Sequence, residues 1–291
     1  MQSPDVPQHS SMKDRVCMIT GANSGIGRAT ALELAKMGAT LVMVARDQQK
    51  GESAMSEIRK ATGNDSIDLL LADLSSLQSV RELAQRFQAK YPRLHVLINN
   101  AGLFNQRRHV TPDGYEATFT INYLAPFLLT NLLLDELKSS APSRIVNVSS
   151  VGHYNGHIDF EDLNMEKNYG GWRAYQQSKL ALVLFTRELA KKLQGTGVTV
   201  NSVHPGTVAT NIWSRPMGPL GFIMSVPKLF MTSPKKGAET VVYLASSPEA
   251  VKTSGEYWDK LKVKKSSEES YNEEVAKRLW EVSAKLTSAN S

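Results

Sequence analysis

Tyr175 and Lys179 stand four residues apart in a stretch with helical apolar spacing, so a helix places both side chains on one face. A free phenol has a pKa near 10 and is a poor base at neutral pH. A nearby ammonium stabilises the phenolate and brings it closer to the working range of acid–base catalysis. Ser150 follows an apolar run and can offer a hydroxyl to an oxygen on which negative charge develops. A lone Tyr-x-x-x-Lys is also what an ordinary helix surface looks like. The pair gains meaning only from what the rest of the chain puts beside it.

A second group of residues suits an anion. Thr20-Gly21-Ala22-Asn23-Ser24-Gly25-Ile26-Gly27 lies between an apolar run and a helix-periodic segment. Glycines there allow a tight turn and close approach to a pyrophosphate, and the helix start presents free N–H groups to it. In that context the pattern signals a dinucleotide. Arg46 follows the second apolar run, where a carboxylate would select the 2′-hydroxyl of NAD and an arginine the 2′-phosphate of NADP. The guanidinium points to NADP(H). Asp47, one place on, leaves open a surface Arg46–Asp47 pair of small consequence.

These groups need a frame, and the hydrophobic pattern supplies one. Apolar runs at 15–20, 40–45, 67–72, 94–98, 144–148 and 198–203 read as strands, and residues 255–258 as a last one. Helical periodicity covers 26–36, 49–60, 76–90, 114–138, 175–193 and 237–245, with an amphipathic C-terminal helix carrying Val275, Leu279 and Val282. Strand–helix alternation means right-handed crossovers and a parallel sheet. The expected fold is α/β: one Rossmann-type doubly wound domain over residues 13–291, with helices on both faces and residues 1–12 as a polar, disordered lead. Residues 212–232 are apolar but interrupted by Pro216, Gly218, Pro219, Gly221 and Pro227, which suits a lid insertion and not a spanning helix; a packed helix pair extending the core, or membrane contact at Arg215 and Lys228, stays open. In such sheets ligands bind beyond the carboxyl ends of the strands. In chain order those ends carry the glycine loop, Arg46, Asp73, Asn99-Asn-Ala-Gly102, Ser149-Ser150 and His204-Pro-Gly206. Their convergence says more than any one motif.

Taken together, Thr20-Gly-x-x-x-Gly-x-Gly27, Asn99-Asn-Ala-Gly102, Ser150, Tyr175-x-x-x-Lys179 and Pro205-Gly206 resemble the short-chain dehydrogenase/reductase family, in family order over about residues 13–286. The stretches Leu94-His-Val-Leu-Ile-Asn-Asn-Ala-Gly102, Phe185-Thr-Arg-Glu-Leu-Ala190 and Arg278-Leu-Trp-Glu-Val-Ser283 resemble its retinol dehydrogenase and WW-domain oxidoreductase branch. The resemblance implies Tyr175 as acid–base, Lys179 as its partner and ribose ligand, Ser150 polarising a carbonyl, and Asn122 supporting a water-linked proton path. It implies a cofactor site of Gly21, Asn23, Ser24, Gly25, Ile26, Gly27, Arg46, Asp73, Leu74, Asn100, Ala101, Gly102, Pro205, Gly206, Val208 and Thr210, shared with Tyr175 and Lys179. Without the family, Asn122 reads as a helix-kink residue bonding backbone.

Other features narrow the class. The composition is globular, 41% hydrophobic and 21% charged, and the net charge of +6 is spread among carboxylates with no nucleic-acid stripe. The single cysteine, Cys17, excludes an internal disulfide and fits a core position in a reducing, cytoplasmic setting. His153 and His157 have metal-like spacing, but Asn155 and Gly156 between them speak against a helix and no third ligand is evident, so no metal is expected. Asn147-Val-Ser149 matches a glycosylation acceptor but falls in a buried strand. The expected partner is a small lipophilic carbonyl or alcohol, with room for peripheral membrane contact and a homodimer. Two other classes stay in view. A nucleotide-sugar epimerase or dehydratase can share the Tyr-x-x-x-Lys pair, against which stand the short glycine spacing and short C-terminal region. A non-catalytic NADP(H)-binding interaction protein could shed catalytic groups, yet all four are present.

Overall fold

The computed structural model describes residues 10–206 and 233–288. Strands β1 (Val16–Thr20), β2 (Thr40–Ala45), β3 (Ile67–Leu71), β4 (Val96–Asn99), β5 (Ser143–Val148), β6 (Val198–His204), β7 (Tyr257–Asp259) and β8 (Lys262–Lys264) form one sheet in the order β3-β2-β1-β4-β5-β6-β7-β8. The first seven pair in parallel and β8 pairs antiparallel to β7. The order reverses direction between β1 and β4, which opens a crevice at their carboxyl ends. The expected doubly wound single-domain α/β fold is therefore present. Strand β8 was not anticipated: three exposed residues, two of them lysines, carry too little apolar signal. Lysines on the outermost strand guard an open sheet edge against further pairing.

Helices α1 (Gly25–Lys36), α2 (Gln48–Thr62) and α8 (Pro234–Ser246) cover one face. Helices α3 (Leu77–Lys90), α5 (Ala125–Leu132), α7 (Gly171–Lys192) and α9 (Glu273–Ser288) cover the other. Strands β1, β2, β4, β5 and β6 between them are buried on both sides and read as largely continuous apolar runs.

The single helix expected over 114–138 is broken. Short α4 (Ala117–Phe119) leads into a π-helical turn, Thr120–Leu124, then α5, then α6 (Leu134–Ser139). Pro126 explains the wide turn, because it has no N–H for the Asn122 carbonyl and its ring would clash there. Helix α7 starts four residues before the expected Tyr175. The α9 side chains buried most deeply are Ala276, Leu279, Ser283 and Thr287, with Val275 and Val282 at the margin. Within the expected lead, Met12 is buried and its amide donates to the Met37 carbonyl at 2.9 Å. Val208, Thr210 and the expected lid at 212–232 lie outside the described residues.

Candidate functional site

At the end of β1 the chain turns through Gly21 and Gly25, both at positive φ (66° and 55°) that a side chain would strain. A Cβ on Gly27 would sit 2.4 Å from the Gly21 carbonyl oxygen and 2.5 Å from Asn100 Nδ2, so the loop closes only on glycine. Thr20 and Asn100 staple it to the end of β4. Thr20 Oγ1 accepts from the Asn100 and Ala101 amides, each at 3.0 Å, and Asn100 Nδ2 donates to the Thr20 carbonyl at 2.8 Å. Asn100, expected in the cofactor site, spends its amide beneath the glycine loop, and Thr20 is a site-building residue beyond the expected cofactor list. Ser24 is the N-cap of α1 but makes no side-chain cap bond, so the first-turn amides are left for another acceptor. A loop closed tightly on Gly21 and Gly27 beneath an uncapped helix start fits a dinucleotide pyrophosphate.

Arg46 and Asp73 line one pocket of about 540 Å³ at the ends of β2 and β3, with Ala72, Ser79 and Arg86. Arg46 is exposed. Asp47 caps α2, accepting from the Lys50 amide at 3.0 Å, and pairs with Lys50 Nζ at 3.4 Å. Its carboxyl is held below its usual range first by that backbone bond. The acid that clouded the reading of Arg46 is therefore a helix cap. Asp73 Oδ1 accepts from both the amide and the hydroxyl of Ser75, at 2.9 and 2.7 Å, and Leu74 beside it is buried.

Ser150, Asn122, Tyr175 and Lys179 come together beyond β4 and β5. Lys179 is buried and its Nζ donates to the Val148 carbonyl at 2.9 Å, 5.7 Å from the centre of the Tyr175 ring. A Cβ on Gly102 would stand 3.3 Å from Asn122 Oδ1 and 3.5 Å from Lys179 Nζ, so the three positions share one small space. Asn122 sits in the π-helical turn, accepts from the Leu103 amide at 2.8 Å and donates to the Leu103 carbonyl at 3.0 Å. The kink reading of Asn122 and its place beside Lys179 hold together. Its backbone carbonyl faces the proline-made gap, while its amide fixes the loop after Gly102. The Ser150 and Tyr175 hydroxyls are hydrogen-bonded to each other. Gly152 packs under the phenol, where a Cβ would meet the ring at 3.2 Å.

The electrostatics differ from the expected lysine-lowered phenol. Burial raises the Tyr175 pKa, opposed by the Ser150 hydrogen bond. Burial also draws Lys179 down to about 8, which leaves it mostly cationic at neutral pH. Ser150 and Tyr175 can pass a proton to a substrate oxygen between them, and Lys179 can hold charge beside the phenol. Phe104 and Trp172 complete a ring wall around Tyr175, with centroids 6.0 and 5.9 Å away and 5.2 Å from each other. Neither was singled out in the sequence, where nothing ties Phe104 to a residue far along the chain. Pro205 and Gly206 end the described segment after β6, with Gly206 at φ 82°.

The two histidines do not converge: His153 bonds the Ser150 carbonyl and His157 pairs with Glu269. Among the described residues no group of three metal-binding side chains forms, and no helix is long and apolar enough to cross a membrane. Asn147 is buried and donates to Thr186 Oγ1 at 2.9 Å, inside a polar ladder that Asn99 and Thr130 extend.

Comparison with known proteins adds a family. The short chain dehydrogenase family model matches residues 15–216. Human retinol dehydrogenase 13 is 44% identical over 292 residues, covering 96% of this chain and 86% of that protein. Mouse retinol dehydrogenase 14 is 46% identical over 285 residues, covering 94% and 85%. A crystal structure of an uncharacterised protein from Mycobacterium paratuberculosis aligns with TM-score 0.79 at 33% identity, covering 96% of each chain. The Pseudomonas aeruginosa RhlG/NADP active-site complex aligns with TM-score 0.67 at 28% identity, covering 85% of this chain and 94% of that one.

Proposed function

This chain belongs to the short chain dehydrogenase family and is an oxidoreductase acting on CH–OH groups, and from that premise we propose that it interconverts an alcohol and a carbonyl on a lipophilic small molecule, using NADP(H). The observation that carries the reading is the convergence of buried Tyr175, Lys179 and Asn122 with half-buried Ser150 at the sheet's carboxyl edge. A non-catalytic reading is not favoured, because it has no use for that convergence.

The glycine loop and the start of α1 would hold the pyrophosphate, Arg46 the 2′-phosphate, Asp73 and Leu74 the adenine side, and Lys179 the nicotinamide ribose. When bound, the cofactor supplies or accepts the hydride. Tyr175 gives its phenolic proton to the substrate oxygen in reduction and recovers it in oxidation. Ser150 donates a hydrogen bond to the same oxygen as charge develops. The Lys179 ammonium steadies the phenolate left behind. Asn122 keeps the loop after Gly102 in place beside that ammonium. A homologue bearing the name of an NADP complex supports the phosphate reading of Arg46, and relatives named retinol dehydrogenases support a lipophilic alcohol or aldehyde, retinal being the first candidate. The ring wall of Phe104 and Trp172 suits such a substrate.

The test is steady-state turnover with NADPH and with NADH, on an aldehyde series from short polar to long apolar members with retinal included, for the parent and Arg46→Asp. The parent should favour NADPH, and Arg46→Asp should cost NADPH about tenfold or more in kcat/KM while leaving NADH within a few-fold, because a charge-assisted bond becomes a repulsion. Rates should climb with the apolar length of the aldehyde. A parent preference for NADH, equal loss of both cofactors, or rates indifferent to length would each contradict the proposal.

A further inference from the structure

Ser150 opens a single 3-10 turn, Val151–Asn155, and His153 within it is fully buried. Each ring nitrogen of His153 has a backbone partner that allows one role only. Nδ1 lies 2.6 Å from the Ser150 carbonyl, which can only accept, so Nδ1 carries the proton. Nε2 lies 3.2 Å from the Ser267 amide, which can only donate, so Nε2 is bare. The imidazole is thus a neutral bridge in one tautomer, and burial pushes its pKa down to about 4. Its ring is held between Tyr154 and Tyr257, with centroids at 4.1 and 4.4 Å. Tyr154 in turn donates to the Lys265 carbonyl at 2.6 Å, and Ile158 and His157 both bond Glu269. The segment from Lys265 to Glu269 is therefore clamped onto the turn that carries Ser150.

The near side of that turn faces Tyr175. Ser150 Oγ accepts from the Gly152 amide at 3.1 Å, and Gly152 lies against the phenol ring. The backbone of residues 150–153 thus sets where the serine hydroxyl meets the tyrosine hydroxyl. His153 holds that backbone from behind.

We propose that His153 is a positioning residue: its Nδ1–H holds the Ser150 carbonyl so that the serine hydroxyl faces Tyr175, and its Nε2 ties that placement to the docked C-terminal segment around Ser267. This inference rests on the reading of Ser150 as the residue that bonds the substrate oxygen.

The experiment compares kcat, KM and NADPH affinity for Ser150→Ala, His153→Gln, His153→Asn and the double variant Ser150→Ala/His153→Gln. Asparagine can set an amide N–H where Nδ1 stands, whereas glutamine reaches toward the Nε2 position. His153→Gln should lower kcat by about ten- to a hundredfold, as a misplaced reacting group does, with KM and NADPH affinity nearly unchanged. His153→Asn should recover kcat to within about threefold of the parent. The double variant should be no slower than Ser150→Ala alone, because two residues acting as a unit do not add. Should His153→Gln fail to fold, His153→Leu replaces it: leucine fills much of the ring's space and removes the Nδ1–H that holds the Ser150 carbonyl. Its predicted loss of kcat must likewise vanish in the Ser150→Ala background. Losses that multiply, or His153→Asn as slow as His153→Gln, overturn the inference. Ser150→Ala turning over like the parent would overturn the reading of Ser150 beneath it.

Discussion

Lys179 and His153 are both drawn toward neutrality by burial, to about 8 and about 4, and the two shifts have different consequences. Lys179 keeps most of its charge at neutral pH, as the role proposed for it beside Tyr175 requires. His153 stays neutral, because its partners leave no acceptor for a second proton. Its folded pKa lies below the 6.5 of the free side chain, so the native state binds fewer protons than the unfolded one between those values. The stability it permits is fully present above pH 6.5 and is lost as pH falls toward 4. From pH 7 to 5 the parent should lose on the order of 2 kcal/mol more unfolding free energy than His153→Asn, in which the other lowered histidines, His95 and His204, remain. Urea titrations at the two pH values check it, and parallel acid slopes for parent and variant would contradict it. None of this was legible in the sequence, where His153 stood out only for a metal-like spacing to His157. The bonds that define it go to Ser150, three residues away, and to Ser267, more than a hundred away. Tyr175 and Lys179 were legible because their partner lies one helical turn off, a spacing that periodicity reveals. What spacing could not report is the burial of Tyr175, which raises the phenol's pKa and depends on packing.

The elements follow the same division. The strands that place the site are apolar runs buried on both faces, and their ends fell within a residue or two of expectation. The helix breaks did not. Pro126 marks the π-helical turn, yet the apolar run on either side of it reads as continuous helix. That turn is what brings Asn122 to the Leu103 backbone. The glycine loop was readable as a pattern, but its tightness comes from the staple formed by Thr20 and Asn100. A Gly27→Ala side chain would press on the Gly21 carbonyl and the Asn100 amide, and the Gly21 backbone must move to admit it. NADPH affinity should fall at least about tenfold, and stability by about 1–3 kcal/mol as overpacking typically costs. Fluorescence titration of NADPH together with thermal unfolding measures both, and parent-like affinity would show that the loop tolerates a methyl group there.

Across the whole molecule, the reversal of strand order between β1 and β4 gathers the chemistry at one edge of the sheet. The glycine loop follows β1, Asn99 to Gly102 follow β4, and Ser150 follows β5. Helix α7 lies across them and brings Tyr175 and Lys179 from the side. The proposed cofactor half of the site and the proposed proton-transfer half meet at Gly102, which is near both Asn122 and Lys179. Because the halves are built from different elements, one can be disabled while the other persists. Tyr175→Phe separates them most directly, since it keeps the ring against Gly152 and removes only the hydroxyl. NADPH binding should stay within about twofold of the parent, while NADPH-dependent reduction of the best aldehyde should fall about 10²–10⁴-fold, the usual worth of a positioned acid–base group. Turnover within a few-fold of the parent, with NADPH still bound, would mean that Tyr175 does not carry the proton and that the central claim is wrong.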